Sequence, residues 1–404
     1  MSSRSESRFL DRTTPPHIIT LILLAGVSAL SMNIFLPSLP SMTVYFDTEY
    51  GVMQLSVAAY LGANAVLQVV IGPISDKLGR RPVILGGLVI FVLATLGCIY
   101  STNIVVFLTF RMIQTAIVTA MVLSRAVVRD MVPTDEAASM IGYVTMGMTI
   151  VPMLGPALGG VLDQEFGWQS SFWMLFLTGL LILIITWADL GETKASSGMS
   201  LTQQFREYPE LLTSPRFWGY SLSSAFSSGA FFAYLGGAPF VATSVFGLTP
   251  AQMGLYFGAP AVGYFFGNFF SGRYSVRFGI NLMILWGALI CGVGVAMSVV
   301  TFYLGLGSAE TFFGFMTLVG MGNGLTIPNA TSGALSVRPH LAGTASGLSG
   351  AIMLAGGAAL SALAGAVLVP GTGAYPLLWI MLITSICSVT TILLVIRRER
   401  RLRL

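Results

Sequence analysis

Gly72-Pro73-Ile74-Ser75-Asp76-Lys77-Leu78-Gly79-Arg80-Arg81-Pro82 crowds one acid and three bases between two long apolar runs, at about 52–72 and 83–101. A helix needs about 20 apolar residues to cross the hydrocarbon of a bilayer. Each run is that long, so the charged stretch reads as a short turn at a membrane face. Working outward from it, further apolar windows fall at about 17–39, 103–124, 138–162, 168–188, 216–241, 250–272, 281–303, 308–331, 341–369 and 374–396. The third and fourth windows are separated only by Ser101-Thr102-Asn103. The pattern predicts twelve spanning helices.

The basic residues test that count. Arg4, Arg8 and Arg12 precede span 1, and Lys77, Arg80 and Arg81 follow span 2. Arg125 and Arg129 follow span 4, and Lys194, Arg206 and Arg216 follow span 6. Arg273 and Arg277 follow span 8, Arg338 follows span 10, and Arg397, Arg398, Arg400, Arg401 and Arg403 follow span 12. Nineteen of the 20 bases thus fall at even-numbered loops or the ends of the chain. Cytoplasmic loops carry such an excess of Lys and Arg, so both termini are expected in the cytoplasm. The exception is Arg111, inside span 4.

Composition agrees. Of 404 residues 55% are hydrophobic and 9% charged, with a net charge of +4 and a mean hydropathy of +0.82. Soluble domains carry roughly 25% charged residues. A soluble enzyme, a nucleic-acid-binding domain and a disordered chain are therefore excluded. The apolar runs do not alternate, which excludes a β-barrel. The N-terminal stretch has no small-residue cleavage site before span 1 and reads as leading into an uncleaved helix. Cys98, Cys291 and Cys387 lie in apolar runs and read as small buried hydrophobes. The fold class is an all-α polytopic membrane protein, two six-helix bundles at 1–188 and 216–404 joined by a cytoplasmic linker at 189–215. Paired halves with a site between them are a recurring transporter plan.

The stretch at 72–82 closely resembles the loop between helices 2 and 3 in the major facilitator superfamily. The resemblance implies a 6+6 alternating-access transporter in which Asp76, Arg80 and Arg81 help lock one state. Asp76 would then reach the start of helix 11 near His340-Leu341, where unpaired N–H groups attract a carboxylate. Gly272-Arg273-Tyr274-Ser275-Val276-Arg277-Phe278-Gly279 is a weaker echo in the second half. In span 5, Pro152, Gly155-Pro156 and Gly159-Gly160 resemble the antiporter stretch of the superfamily's drug exporters, which implies drug:proton exchange. Arg111 with Gln114 resembles a third family motif, although Thr115 and Ile117 stand where small residues are usual. Asn33-Ile34-Phe35-Leu36-Pro37-Ser38-Leu39-Pro40, Gln54-Leu55-Ser56, Val128-Arg129-Asp130 and Gly167-Trp168-Gln169-Ser170-Ser171-Phe172-Trp173 together resemble the bicyclomycin/chloramphenicol-resistance (Bcr/CflA) branch. Arg129 and Asp130 join the gating candidates on that basis.

One position departs from the branch: many members have an acid where this chain has Asn33. Eleven of the sixteen acids map to the cytoplasmic side and five (Asp47, Glu49, Asp163, Glu165 and Glu310) to the outer side. The usual central proton carrier is missing, which leaves Asp130 and Glu310 as coupling candidates, or no coupling. His17 and His340 lie at span ends and are given no role.

Tyr60, Asn64 and Gln68 recur at i, i+4 and i+8 and share one face of span 2. With Asn33, Arg111, Gln114, Phe231 and Tyr234 they form the candidate substrate cavity. Arg111 reads either as a cavity residue, in proton relay or substrate contact, or as a structural base bonded to backbone carbonyls. Asn268, Asn323 and Asn329 are further polar groups within spans. Glycines in spans 8 and 11 read as close-packing surfaces. No phosphate-binding loop appears, which argues against ATP as the driver. The functional expectation is a secondary exporter of small amphiphilic compounds, driven by a proton gradient, without cofactor or metal, monomeric, in the bacterial inner membrane. Its partners are a small-molecule substrate and lipid, not nucleic acid. The alternative is a transporter for a specific, anionic metabolite that does without a central carboxylate. A non-transporting receptor or scaffold has no long extramembrane segment to support it.

Overall fold

The computed structural model describes residues 7–131, 144, 151, 154–193, 209–338 and 341–402, with the backbone alone at Pro73, Arg129, Ala342, Gly343 and Leu402. Pro152, the Arg129 side chain and His340, singled out above, lie outside the described residues. The described residues form helices and no strand.

The first crossing, Ile18–Tyr45, is interrupted where prolines remove N–H donors. It runs as α1 (Ile18–Asn33), a 3₁₀ turn at Leu36–Ser38 holding Pro37, and α2 (Leu39–Tyr45) with Pro40 in its first turn. His17 caps α1 by accepting the Ile19 N–H at 3.3 Å. Next come α3 (Tyr50–Leu78), α4 (Arg80–Ile99), α5 (Ile104–Ile113) and α6 (Val118–Met131), then α7 over 154–166 and α8 (Gln169–Asp189). The second half holds α9 (Pro215–Ser244), α10 (Pro250–Tyr256), α11 (Gly258–Phe278), α12 (Ile280–Tyr303), α13 (Ala309–Ser336), α14 (Ala342–Val367) and α15 (Tyr375–Leu402).

Among the described residues nine helices are long and apolar enough to cross a membrane. The sequence expects three more. One falls on 138–162, which is described only in part. The others coincide with α11 and α13, 21 and 28 residues long, which glycines and asparagines make less apolar. Much of the exposed surface is apolar, for example Val105 at 70%, Phe265 at 59% and Leu394 at 61% exposed, as expected of side chains that face lipid.

The turn after span 2 is shorter than the sequence suggests. α3 continues through Gly72 and Pro73 to Leu78, and the reversal is confined to Gly79 at φ +94°. Gly279, between α11 and α12, repeats this turn at φ +82°. In each case the glycine N–H donates at 2.9 Å to a carbonyl four residues back, that of Ser75 or Ser275. An L side chain is strained at such φ values, which explains glycine at both positions. The weak sequence echo between the halves is thus a close structural one at its last residue.

α4 packs on α8, and α1 on α6 and α8. In the second half α9 packs on α13, α14 and α15, and α13 on α11 and α12. Contacts between these two sets run chiefly through α3 against α14, with α9 also touching α2 and α3.

Candidate functional site

Arg111 is 0% exposed, so its charge needs partners within the protein. It lies near the end of α5, where the chain tightens into a 3₁₀ stretch at Gln114–Ile117 before α6. A 3₁₀ segment inside a long helix often marks a hinge. The guanidinium donates to the Ser31 carbonyl at 2.9 Å, the Ser56 carbonyl at 3.3 Å, the Ser31 hydroxyl at 3.3 Å and the Gln114 side-chain oxygen. Tyr60 and Phe35 present their rings to it, with centroids 4.0 and 4.4 Å from Cζ. Such contacts contribute about 2 kcal/mol when desolvated. Gln114 in turn donates to Thr95 Oγ1 at 2.8 Å, and Thr95 to the Phe91 carbonyl at 2.7 Å. The cage joins α1, α3, α4 and α5. Its described members are carbonyls, hydroxyls, an amide and aromatic rings.

The other polar candidates sit apart from this cage. Asn33, 5% exposed, donates back to the Ala29 carbonyl at 2.7 Å and lies beside Gly155 of α7. Gln68 donates to Asn64 at 3.3 Å, and its oxygen lies 2.9 Å from where a Cβ on Gly350 would stand. The stripe of Tyr60, Asn64 and Gln68 therefore runs from the interior of the first half to its boundary with α14. Phe231 and Tyr234 belong to an aromatic cluster of the second half. Their rings stack at 6.2 Å, and Tyr234 also meets Phe257 and Phe313 at 5.2 and 6.2 Å. The buried Tyr234 hydroxyl has no hydrogen-bond partner among the described residues.

Where the two halves touch, the contact runs along α3. Gly51, Gln54, Gly62, Gln68 and Gly72 follow one face of α3 at helical spacing. A Cβ on Gly51 would meet the Gly365 carbonyl at 3.2 Å, and one on Gly62 the Ala358 Cβ at 3.8 Å. Gln54, 0% exposed, donates to Ser361 Oγ at 2.5 Å and fills the space that a side chain on Gly236 or Gly365 would need. Tyr50 donates to the Gly236 carbonyl at 2.6 Å. The described contact reaches Gln68 and Gly350, and among the described residues a Cβ on Gly72 or Gly347 would meet nothing within 4 Å. Among the described residues the halves meet most closely at the end carrying Glu49. At that end α7 also meets α10 backbone to backbone. A side chain on Gly160 would strike the Pro250 carbonyl, one on Gly254 the Pro156 carbonyl, and one on Gly159 the Ile34 carbonyl. Gly155, Pro156 and Gly159 are therefore all at close helix contacts.

At the other end Asp76 and Arg80 pair at 2.7 Å, and Arg80 Nε reaches Asp130 at 3.0 Å. Arg80 also donates to Ser75 Oγ. Glu192, from the segment after α8, accepts the backbone N–H groups of Arg80 and Arg81 at 2.8 and 3.2 Å and so caps α4. Arg81 donates to the carbonyls of Leu190 and Trp187 at 2.7 and 3.1 Å.

The family model described as Major Facilitator Superfamily matches residues 21–362. The chain belongs to the major facilitator superfamily. This family consists of transporters rather than enzymes. Among relatives of this facilitator, the chloramphenicol resistance protein of Pseudomonas aeruginosa is 30% identical over 79% of this chain and 76% of its own length. Multidrug resistance protein D of Escherichia coli is 29% identical over 88% and 89%. A bicyclomycin resistance protein homolog of Haemophilus influenzae is 26% identical over 87% and 89%. These names place the chain with the Bcr/CflA-type members that its motifs resemble. In fold it is similar to a bacterial homolog of the human lysosomal transporter Spinster, solved in an inward-facing and occupied conformation. That match has a TM-score of 0.71 at 17% identity and covers 94% of this chain and 96% of the other.

Several residues of this facilitator's polar sites escape a reading of the sequence: Ser31, Phe35, Ser56 and Thr95 around Arg111, Tyr50 and Ser361 at the Glu49 end, and Glu192 at the α4 cap. Gln54 is the one with a legible signal, since it shares the helical face of Gly51 and Gly62.

Proposed function

We propose that this facilitator exports small amphiphilic, drug-like molecules by alternating access in exchange for protons. Twelve helices would form two six-helix bundles, 1–188 and 216–404, joined by 189–215, with both termini in the cytoplasm of a bacterial inner membrane. The observation that carries the proposal is the contact between the halves along α3, from Gly51 and Gln54 to Gln68 and Gly350. With the Asp76 end in the cytoplasm, as the basic residues imply, the contact at Gly51 and Gln54 lies at the outer side. The antibiotics in the relatives' names support drug-like substrates. The glycine and proline contacts of α7 with α10 support the antiporter reading of that stretch, and with Tyr50 and Gln54 they would be the outer gate. Asp76, Arg80, Arg81, Arg129, Asp130 and Pro152 would work the inner gate and the hinge. Asn33, Tyr60, Asn64, Gln68, Arg111, Gln114, Phe231 and Tyr234 would line the route between the gates. No cofactor is needed, and a monomer suffices.

The enclosure of Arg111 by neutral acceptors and rings favours this reading over the anionic-metabolite alternative, because the charge is already satisfied in this state. The test is efflux of chloramphenicol, bicyclomycin and an anionic metabolite panel from proteoliposomes under an imposed pH gradient. Drug movement should reverse when the gradient is reversed. Transport indifferent to the gradient would refute proton exchange, and transport of the anions alone would favour the alternative.

A further inference from the structure

The last helix carries a run of basic residues broken by one acid: Arg397-Arg398-Glu399-Arg400-Arg401. The structure separates the two signs. Glu399 turns inward, 2.8 Å from Arg216 Nη2, and accepts the Tyr220 hydroxyl at 3.0 Å and the Asn281 amide. Its charge is spent on α9 and α12. The four arginines remain exposed. They extend an outward face that Leu393 and Leu394, 47% and 61% exposed, begin. Arg397 stands at i+4 from Leu393, Arg398 at i+4 from Leu394, and Arg401 at i+7 from Leu394. The same helical stripe thus passes from apolar to cationic within one turn.

That change is what a bilayer presents to a helix leaving it. Arg397 to Arg401 span about 6 Å along the axis, comparable to a headgroup layer of about 5–8 Å on each side of the hydrocarbon. Long basic side chains at such a depth reach the phosphates while their stems stay in apolar contact. We propose that Arg397, Arg398 and Arg401 form a binding surface for anionic phospholipid headgroups, made selective for negative lipid by the withdrawal of Glu399. Topology needs only a local excess of bases, whereas lipid binding needs this exposed stripe freed of its own acid. The inference requires only that α15 leaves the membrane at this point and holds whatever the substrate.

The test is a titration of the purified full chain in detergent at low salt with phosphatidylglycerol or phosphatidylcholine, read by thermal stability. Phosphatidylglycerol should stabilise the protein saturably and phosphatidylcholine should not. At about fivefold per arginine, the triple variant Arg397→Gln, Arg398→Gln, Arg401→Gln should raise the half-saturating concentration of phosphatidylglycerol about a hundredfold. In the unaltered protein 1 M salt should weaken the effect similarly, a reading that does not depend on the variant folding. Equal responses to the two lipids, a triple variant that still binds phosphatidylglycerol normally, or salt-insensitive binding would overturn the proposal. So would equal protection by glycerol phosphate alone, which would mark a small-anion site instead.

Discussion

Arg111 concentrates the energetics of the first half in one side chain. It is buried without exposure and bonded to two backbone carbonyls, a serine hydroxyl and a glutamine. Removing one partner of a buried charged network typically costs 3–5 kcal/mol. Arg111→Ala, however, removes the charge and leaves uncharged acceptors behind, so a smaller loss of about 1–3 kcal/mol is expected from the orphaned groups. Arg111→Lys keeps a charge but loses the planar fork that reaches Ser31 and Ser56 together, and should destabilise by a comparable amount. Thermal melts in detergent check both, and stability within 0.5 kcal/mol of the parent (roughly the noise of surface substitutions) would show that the cage is not load-sharing. Transport should be lost in Arg111→Ala. The position of Arg111 was legible because a lone base in an apolar run is conspicuous. Its surroundings were not, because Ser31, Ser56 and Thr95 come from three other helices and carry no periodic signal of their own.

At the scale of helices, the informative contrast is between α3 and α14. Gln54 gives one hydrogen bond across the Glu49 end, while its side-chain oxygen is buried without a partner among the described residues. A half-satisfied amide makes this contact weak enough to reverse, since one net hydrogen bond is worth about 1 kcal/mol. Gln54→Ala should therefore raise the population open at this end about fivefold. Spin labels at the exposed Val44 and Val245, one on each half at that end, would register the longer distance; an unchanged distance distribution would show that Gln54 does not hold the contact. Helix positions were readable from hydropathy and charge, because lipid and the membrane faces impose both. Helix breaks were less so: α3 runs on through Gly72-Pro73, and span 4 tightens at Gln114–Ile117, where local propensity yields to packing around Arg111 and the Asp76–Arg80 pair.

For the whole molecule, the scarcity of charge announced a membrane protein, and the placement of each base suggested its orientation. The turns at Gly79 and Gly279 add a structural likeness between the halves that the degraded second loop only hinted at. What no sequence pattern conveyed is that the halves touch from Gly51 to Gln68, because contact between distant segments depends on the conformation adopted. Alternating access requires that this contact break and re-form in every cycle. A Cβ on Gly51 would lie 4.0 Å from the Ala366 Cα, so cysteines at these two positions stand within reach of a short thiol-specific cross-linker. The decisive measurement is transport by a Gly51→Cys, Ala366→Cys protein in which Cys98, Cys291 and Cys387 have been replaced. Cross-linking with a short, reducible bis-thiol reagent should stop transport, and reductive cleavage of the link should restore it. Undiminished transport by fully cross-linked protein would contradict the assignment of this contact as the outer gate.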